Sequence, residues 1–204
     1  MRLAIAVALT AGTMVAVSST AQADWSAGAG FENAKWKESA TPTSPTVSES
    51  GMRMALDLTW SQSRDPGVSA GYNIKFYFGN VDRTGTTFGA AGVTGETQYR
   101  GMTNEVRSIY REPKTAVDLI LAAGWDHWNR ELNAAQKQTW DVVYARAGLS
   151  LNSIGRQGMI GSAGVKYPIY SRENAGVTGA GATTNPRVRP GRDFRLYGSL
   201  GYRF

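Results

Sequence analysis

The end of the chain alternates strictly between apolar and polar positions. One parity holds Phe194, Leu196, Gly198, Leu200, Tyr202 and Phe204, and the opposite parity carries Arg195 and Arg203. Because successive side chains of an extended strand point to opposite faces, this pattern predicts a strand with one apolar and one cationic face. Two arginines do not suit the core of a water-soluble protein. A strand between lipid and an enclosed polar interior accounts for both faces, and about 9 to 11 residues allow a tilted strand to cross a bilayer.

The same two-residue alternation recurs along the rest of the chain. Met52 and Leu56, for example, fall on one parity, whereas Arg53 falls on the other. We predict eight strands, at 24–38, 52–61, 68–79, 97–111, 117–128, 142–151, 159–172 and 194–204. This assignment places the polar residue Asn104 on a lipid-facing side, where an amide side chain is unfavourable.

Turn-forming residues separate these segments, and the connections alternate between long and short. Loops rich in Gly, Ser, Thr or Pro are predicted at 39–50, 82–96, 131–137 and 172–192, and short turns at 64–67, 112–114 and 153–157. An even number of strands with short turns at one end and longer loops at the other is typical of outer-membrane proteins, whose termini and turns lie in the periplasm. The sequence therefore predicts an all-β protein, an eight-stranded antiparallel transmembrane up-and-down β-barrel.

Residues 1–23 have the pattern of an export signal. A positive start at Arg2 precedes an apolar stretch at 3–17 and a small-x-small cleavage site at 21–23. We expect cleavage after Ala23, so that residues 24–204 form the barrel domain. An uncleaved membrane anchor is the alternative, which is disfavoured because the apolar stretch is short for a bilayer and no basic cluster follows it. The sequence contains no cysteine, which excludes disulfide bonds and thiol chemistry.

The chain is basic, with 22 Lys and Arg residues against 16 Asp and Glu residues. These charges are spread along the chain rather than clustered, so we do not expect a nucleic-acid partner. By parity, twelve charged side chains point into the barrel: Glu32, Arg53, Asp57, Lys75, Glu105, Arg107, Asp118, Asp126, Arg146, Lys166, Arg195 and Arg203. Side chains fill the interior of an eight-stranded barrel, and charges withdrawn from water need partners. We therefore expect an ion-pair network that plugs the lumen, with a charged constriction of a narrow pore as the alternative.

Few other residues offer a candidate site. His127 is the only histidine, and parity places it on the outer side near lipid headgroups, so that its neighbour Asp126 cannot orient its ring. One histidine without cysteine provides no transition-metal site, and no cofactor-binding motif is present. Near the loop end, four arginines form a basic rim suited to the phosphates of lipopolysaccharide. They are Arg172, Arg187, Arg189 and Arg192.

Several segments carry a family resemblance. They are NEVRSIYR at 104–111, GWDHWNR at 124–130, AGVKYP at 163–168 and LYGSLGYRF at 196–204. The chain resembles the small eight-stranded outer-membrane barrels of the outer-membrane protein A and X type and, through these segments, a largely uncharacterised family of proteobacterial outer-membrane β-barrel proteins. The resemblance implies the barrel fold and an outer-membrane location, and it supplies no activity and no catalytic residues. Phe204 with Tyr202 resembles the C-terminal signal that the barrel-assembly machinery reads.

Together these observations predict a monomer in the outer membrane of a Gram-negative bacterium, in contact with outer-membrane lipid and lipopolysaccharide. We expect a non-enzymatic structural or surface-interaction role, in which the loops contact lipopolysaccharide or external ligands. Two alternatives stay open. One is a narrow, porin-like pore for small solutes or ions, and the other is an enzyme that modifies lipid A or phospholipids with His127 as general base.

Overall fold

Strands make up nearly all of the chain that the computed structural model describes, which is residues 24–38, 47–62, 67–86, 92–112, 114–133, 136–152, 158–178, 188–190 and 194–204. The strands are β1 (Asp24–Glu38), β2 (Val47–Ser61), β3 (Gly67–Thr86), β4 (Gly92–Arg111), β5 (Val117–Asn133), β6 (Gln136–Asn152), β7 (Gly158–Thr178), β8 (Val188–Pro190) and β9 (Arg195–Arg203). Within these ranges no helix has the length and apolarity needed to cross a membrane. The predicted export signal at residues 1–23 lies outside the described residues.

Each strand pairs antiparallel with its neighbours, and the sheet closes on itself. The order around the ring is β1, β2, β3, β4, β5, β6, β7 and β9, and β9 pairs again with β1, for example at Ser26 and Arg203. The short β8 pairs with β1 further along, at Trp36 and Pro190, so β8 and β9 form two parts of one barrel strand. This closed eight-stranded antiparallel barrel confirms the predicted fold.

The barrel has two ends that the chain connects differently. At the turn end, β2 is followed by β3, β4 by β5 and β6 by β7. Asp24 and Phe204 also lie at this end, where Phe204 N donates to Trp25 O at 3.1 Å. At the loop end, β1 is followed by β2, β3 by β4, β5 by β6 and β7 by β8. Gly67 begins β3 at the turn end with φ of 112°, a conformation that favours glycine.

Burial in this barrel is reversed relative to a water-soluble protein. Along β2, Met52, Met54 and Leu56 are 60%, 61% and 54% exposed, whereas Arg53 is 0% exposed. Large apolar side chains cover the outside of every barrel strand, and charged side chains fill the inside. Alternation at a period of two residues therefore separates an apolar outer face from a polar interior.

The polar residue Asn104 lies on the outer face, where alternation places it. Tyr72 Oη on the neighbouring β3 donates to Asn104 Oδ1 at 2.6 Å. This hydrogen bond supplies a partner for the amide oxygen, which would otherwise face an apolar surrounding at a cost of about 1 to 3 kcal/mol.

The strands run further toward the loop end than the sequence predicts. A loop is predicted at 82–96, but Asp82 pairs with Glu96 and Thr84 pairs with Thr94, so β3 and β4 continue as a paired hairpin. In the same way β2 begins within the predicted loop 39–50, β5 and β6 extend into 131–137, and β7 extends into 172–192. These loop predictions are wrong over part of their length. Composition misleads here because pairing with an adjacent strand satisfies the backbone even where the residues favour loops.

An irregularity in β7 changes which way its side chains point. The register between β6 and β7 shifts at Val143 and Tyr144, opposite Pro168, which has no N–H to give to the sheet. Strict alternation predicts that Tyr170 faces the lumen, but Tyr170 is 56% exposed. That assignment is wrong, and beyond the shift Arg172 is exposed and shares a register position with Asp141 on the outer face.

Candidate functional site

The structure places the twelve charged residues of the predicted lumen network inside the barrel. Asp57 is half-buried. The other eleven are buried, namely Glu32, Arg53, Lys75, Glu105, Arg107, Asp118, Asp126, Arg146, Lys166, Arg195 and Arg203. They form two clusters within the strands and a third, looser group at the turn end.

Glu32 on β1 is the centre of the first cluster. Arg53 Nη2 lies 2.5 Å from Glu32 Oε1, and Tyr77 Oη donates to Glu32 Oε2 at 2.7 Å. Lys166 Nζ is 3.3 Å from Oε2, and Arg195 Nη1 is 3.6 Å from Oε1. The carboxylate is 1% exposed and is surrounded by three cations that come from different strands. Such a group is stable in a poorly solvated interior only because its charge and its lone pairs are both matched.

Asp126 on β5 adds a second acid to this cluster. Lys166 Nζ lies 2.5 Å from Asp126 Oδ2, and the Thr103 hydroxyl donates to Oδ1. The guanidinium carbon of Arg53 lies 3.4 Å from the centroid of the Trp128 ring. Trp128 is 0% exposed, so its ring lies in the interior of the barrel beside the ion pairs.

Glu105 on β4 is the centre of the second cluster. Its Oε1 lies 2.5 Å from Arg107 Nε and 2.6 Å from Arg146 Nη1, and Tyr144 Oη donates to its Oε2 at 2.8 Å. The guanidinium carbon of Arg146 lies 3.6 Å from the centroid of the Tyr197 ring. Both clusters therefore repeat one arrangement, in which a buried carboxylate is held by cations that stack on aromatic rings.

The turn end of the lumen is more open. Arg111 Nε lies 3.7 Å from Asp118 Oδ2, Asn152 Nδ2 donates to the same oxygen at 2.6 Å, and Arg203 Nη2 donates to Asn152 Oδ1 at 2.6 Å. A cavity of about 50 Å³ is lined by Arg111, Asp118 and Arg203 and by several serine residues, including Ser61. This volume is enough for a few water molecules, since one water needs roughly 10 to 15 Å³.

The lumen network predicted from the sequence contains only charged residues, although parity also points four aromatic side chains into the barrel. Tyr77, Trp128, Tyr144 and Tyr197 are all buried and contact charged groups. Parity predicts their inward direction, because each alternates in step with the inward charges of its own strand, but it does not predict which charged groups they contact.

On the outer face, His127 forms a pair that the sequence did not reveal. Asp126 is buried in the lumen and cannot reach the ring, whereas Asp141 on β6 occupies the register position beside His127. His127 Nδ1 lies 2.8 Å from Asp141 Oδ1, and Asn174 Nδ2 donates to Asp141 Oδ2. The ring of Trp125 packs 5.8 Å from the His127 ring, centroid to centroid. A neighbouring strand thus supplies the acid that holds the imidazole.

The predicted basic rim is only partly within the described chain. Arg172 is exposed on the outer face, and Arg189 lies in β8, where its side chain is outside the description. Arg187 and Arg192 lie outside the described residues. Among the residues that the structure describes, no three His, Cys, Asp or Glu side chains converge as a metal site would require.

No protein-family model and no curated protein matches the chain. It is similar to the crystal structure of Ail, the attachment invasion locus protein of Yersinia pestis, with a TM-score of 0.51 and 13% identity over 90% of this chain and 99% of Ail. The chain is a small outer-membrane-type β-barrel. The resemblance to this class, predicted from the sequence, is confirmed at the level of the fold.

Two further solved structures are similar to this outer-membrane-type barrel. Ail of Yersinia pestis in complex with the heparin analogue sucrose octasulfate gives a TM-score of 0.49 and 12% identity, over 90% of this chain and 99% of Ail. Neisserial surface protein A, NspA, gives a TM-score of 0.46 and 14% identity, over 89% of this chain and 97% of NspA.

The C-terminal residues of the barrel lie on its outer face at the turn end. Tyr202 is 48% exposed and Phe204 is 59% exposed, and Tyr202 pairs with Ala27 of β1 and Met159 of β7. The two rings that the sequence suggests as an assembly signal are therefore presented on the apolar exterior.

Proposed function

We propose that this protein is an integral outer-membrane barrel with a sealed lumen. It is exported through a cleaved signal at residues 1–23, its termini are periplasmic, and it acts without enzymatic activity in a structural or surface-interaction role through its outer face and loops. The observation that supports this proposal best is an apolar exterior around a lumen filled by paired charges.

The apolar exterior supports insertion into lipid. Leu56, Phe76 and Leu200 are 54%, 54% and 66% exposed, and apolar area in water costs about 25 cal/mol per Å². A photoprobe restricted to the lipid phase should label Leu56 and Leu200 and spare Asp57 and Arg195. Labelling of the two charged positions with protection of the two leucines would overturn the proposal.

The sealed lumen argues against the pore alternative. An ion that crossed the barrel would have to displace the Trp128 ring and break ion pairs such as Lys166 with Asp126, at 2.5 Å, in a poorly solvated interior. Single-channel recording in planar bilayers tests this point. We expect no reproducible openings from the native barrel, and openings whose size changes in Glu32→Gln would establish a conducting lumen instead.

Lipopolysaccharide is the partner that we propose for the loop end. Arg172 projects from the outer face there, and guanidinium groups bind phosphate with paired hydrogen bonds. Replacing Arg187, Arg189 and Arg192 with Gln should lower the retention of lipopolysaccharide by the immobilised barrel. Retention equal to that of the native chain would remove these three residues from the proposal.

Assembly and oligomeric state belong to the same proposal. We propose a monomer that the barrel-assembly machinery recognises through Tyr202 and Phe204, which are exposed on the outer face of the last strand. Phe204→Ala should lower the yield of barrel assembled by purified machinery in vesicles, and Phe194→Ala, at the other end of the same segment, serves as the control. Equal yields from the two variants would contradict the role of Phe204.

One observation favours a second candidate, an enzyme that modifies outer-membrane lipids. A carboxylate 2.8 Å from one imidazole nitrogen is the arrangement that orients a histidine as a general base. Mass spectrometry of membrane lipids with and without the protein tests this candidate. A change in lipid mass that is lost in His127→Ala and in Asp141→Asn would establish it over the non-enzymatic role.

A further inference from the structure

On β5 to β7 the outer face of the barrel changes from apolar to polar at one level, whereas on β4 Met102 lies beside His127 and the polar Arg100 follows one outward position later. Trp125 and Tyr170 end the apolar region there, and both are exposed aromatic residues of the kind that lie at a membrane interface. Immediately beyond them, toward the loop end, lie polar side chains that we name the His127 patch. It consists of Arg100, His127, Asp141, Arg172 and Asn174.

The imidazole of the patch is held in a fixed orientation. Asp141 contacts its Nδ1 at 2.8 Å, Asn174 holds the other oxygen of Asp141, and Trp125 packs against the ring. The side chain of His127 remains 35% exposed. Because Nδ1 is occupied by the carboxylate, Nε2 is the ring nitrogen available to a ligand.

Two arginines flank this histidine. Arg172 lies at the register position beside Asp141, and Arg100 lies beside Asn129, one outward position beyond His127. Adjacent strands are about 4.8 Å apart and a strand rises about 3.3 Å per residue, so the backbones of Arg100 and Arg172, three strand spacings and two residues apart, are separated along the sheet by roughly 16 Å. Both arginines are exposed, and at this spacing on a convex outer face each long side chain can hold a separate anionic group of one headgroup.

The charge of the patch favours an anion. Two arginines outweigh the single carboxylate of Asp141, and that carboxylate already accepts contacts from His127 and Asn174. Arginine pairs with the oxygens of a phosphate through two parallel hydrogen bonds, and an imidazole N–H adds a further donor. The position just beyond two interface aromatics places this donor set at the level where lipid headgroups lie.

We propose that the His127 patch binds the phosphate of an outer-leaflet lipid headgroup. Phosphate oxygens of the headgroup contact both Arg100 and Arg172, His127 Nε2 donates to one of these oxygens, and Asp141 orients the histidine as a ligand rather than as a base. This inference rests on the proposed function, because only a barrel inserted with its loop end outward presents the patch to those headgroups.

The single histidine makes the proposal directly measurable. With ¹⁵N-labelled histidine, the protein gives one set of imidazole resonances, which all come from His127. The barrel is placed in phosphatidylcholine nanodiscs at fixed pH, and lipid A that carries two phosphates is added in increasing amounts. We expect the Nε2 resonance to shift and saturate, and we expect no shift with dephosphorylated lipid A.

Matched variants separate a site from general surface charge. Arg172→Gln and Arg100→Gln should each raise the half-saturating amount of lipid A about tenfold, as expected for the loss of one charge-assisted hydrogen bond. Lys114→Gln makes the same change in charge on an exposed side chain at the turn end and should shift this amount less than about twofold. Arg172→Lys keeps the charge and should recover part of the loss. Equal effects of Lys114→Gln and Arg172→Gln would overturn the proposal.

Further outcomes assign the source of the phosphate and the role of the histidine. Saturation by inorganic phosphate alone, at the same half-saturating concentration, would overturn the assignment to a lipid. A change in the mass of lipid A that His127→Ala abolishes would make the histidine a base and overturn its role as a ligand. The absence of any shift, together with photolabelling of Leu56, would refute the patch while leaving the inserted barrel in place. Photolabelling of Arg195 in place of Leu56 would refute both the patch and the inserted barrel.

Discussion

Removing the charge of Glu32 is the most direct test of how this barrel is held together. Glu32→Gln keeps the size of the side chain and an oxygen that can accept the hydrogen bond from Tyr77. It leaves Arg53, Lys166 and Arg195 without the carboxylate that now lies 2.5 to 3.6 Å from them. Asp126 still compensates Lys166, so the loss falls mainly on the two arginines.

The expected magnitude follows from this geometry. Removing one partner of a buried ion pair costs about 3 to 5 kcal/mol, because the remaining charge stays desolvated. We expect Glu32→Gln to lower the free energy of unfolding by that amount, measured by urea titration of the barrel in phosphatidylcholine vesicles with tryptophan fluorescence. In the double variant Glu32→Gln with Arg53→Met, the unpaired guanidinium is also removed. The two changes should therefore be coupled by about 1 to 3 kcal/mol.

A matched substitution separates the effect of burial from the effect of charge. Glu112→Gln makes the same chemical change on an exposed side chain at the turn end, and its effect should stay within about 0.5 kcal/mol. If Glu32→Gln and Glu112→Gln lower the free energy of unfolding equally, paired charges do not stabilise the lumen. Strict additivity in the double variant would lead to the same conclusion.

Other substitutions test packing and the lipid-facing surface by the same urea titration. A Cβ at Gly101 would lie 2.6 Å from Trp128 Cε3, so Gly101→Ala should cost about 1 to 3 kcal/mol, whereas Gly161→Ala, whose Cβ would meet its nearest atom at 3.6 Å, should cost little. Equal costs would show that the interior around Trp128 can relax. Leu56→Arg should cost about 2 to 4 kcal/mol because Leu56 lies mid-strand on the apolar face, and Tyr110→Arg near the turn end should cost about 0 to 1 kcal/mol. A larger cost for Tyr110→Arg than for Leu56→Arg would contradict this position of the bilayer on the barrel.

Alternation along the chain predicts the closed barrel and the direction of most side chains, since both depend only on which parity a residue occupies. It does not identify partners. Glu32 and Lys166 are 134 residues apart, and only the closure of the sheet brings them together. The acid that holds His127 was missed for the same reason, because Asp141 is set beside it by the register of β5 and β6.

Two other features could not be predicted from the two-residue periodicity. At Pro168 the missing N–H is visible in the sequence, but the register shift beside it depends on how β6 pairs, and the shift turns Tyr170 outward. Strand length was underestimated because the Gly- and Thr-rich composition of 82–96 favours loops, whereas β3 and β4 pair through much of it. In both cases the neighbouring strand, and not the local residues, decides the outcome.

The position of Glu32 on the first strand has a consequence for the order of assembly. Of the cations around its carboxylate, Arg53 lies on the adjacent β2, but Lys166 and Arg195 lie on β7 and β9, which follow the other long strands in the sequence. Docking of the C-terminal strand against β1 therefore completes the ring of backbone hydrogen bonds and neutralises the acid in a single event. A chain cut before β9 would keep both an open edge and an under-compensated carboxylate, so closing the sheet and compensating Glu32 both require this strand.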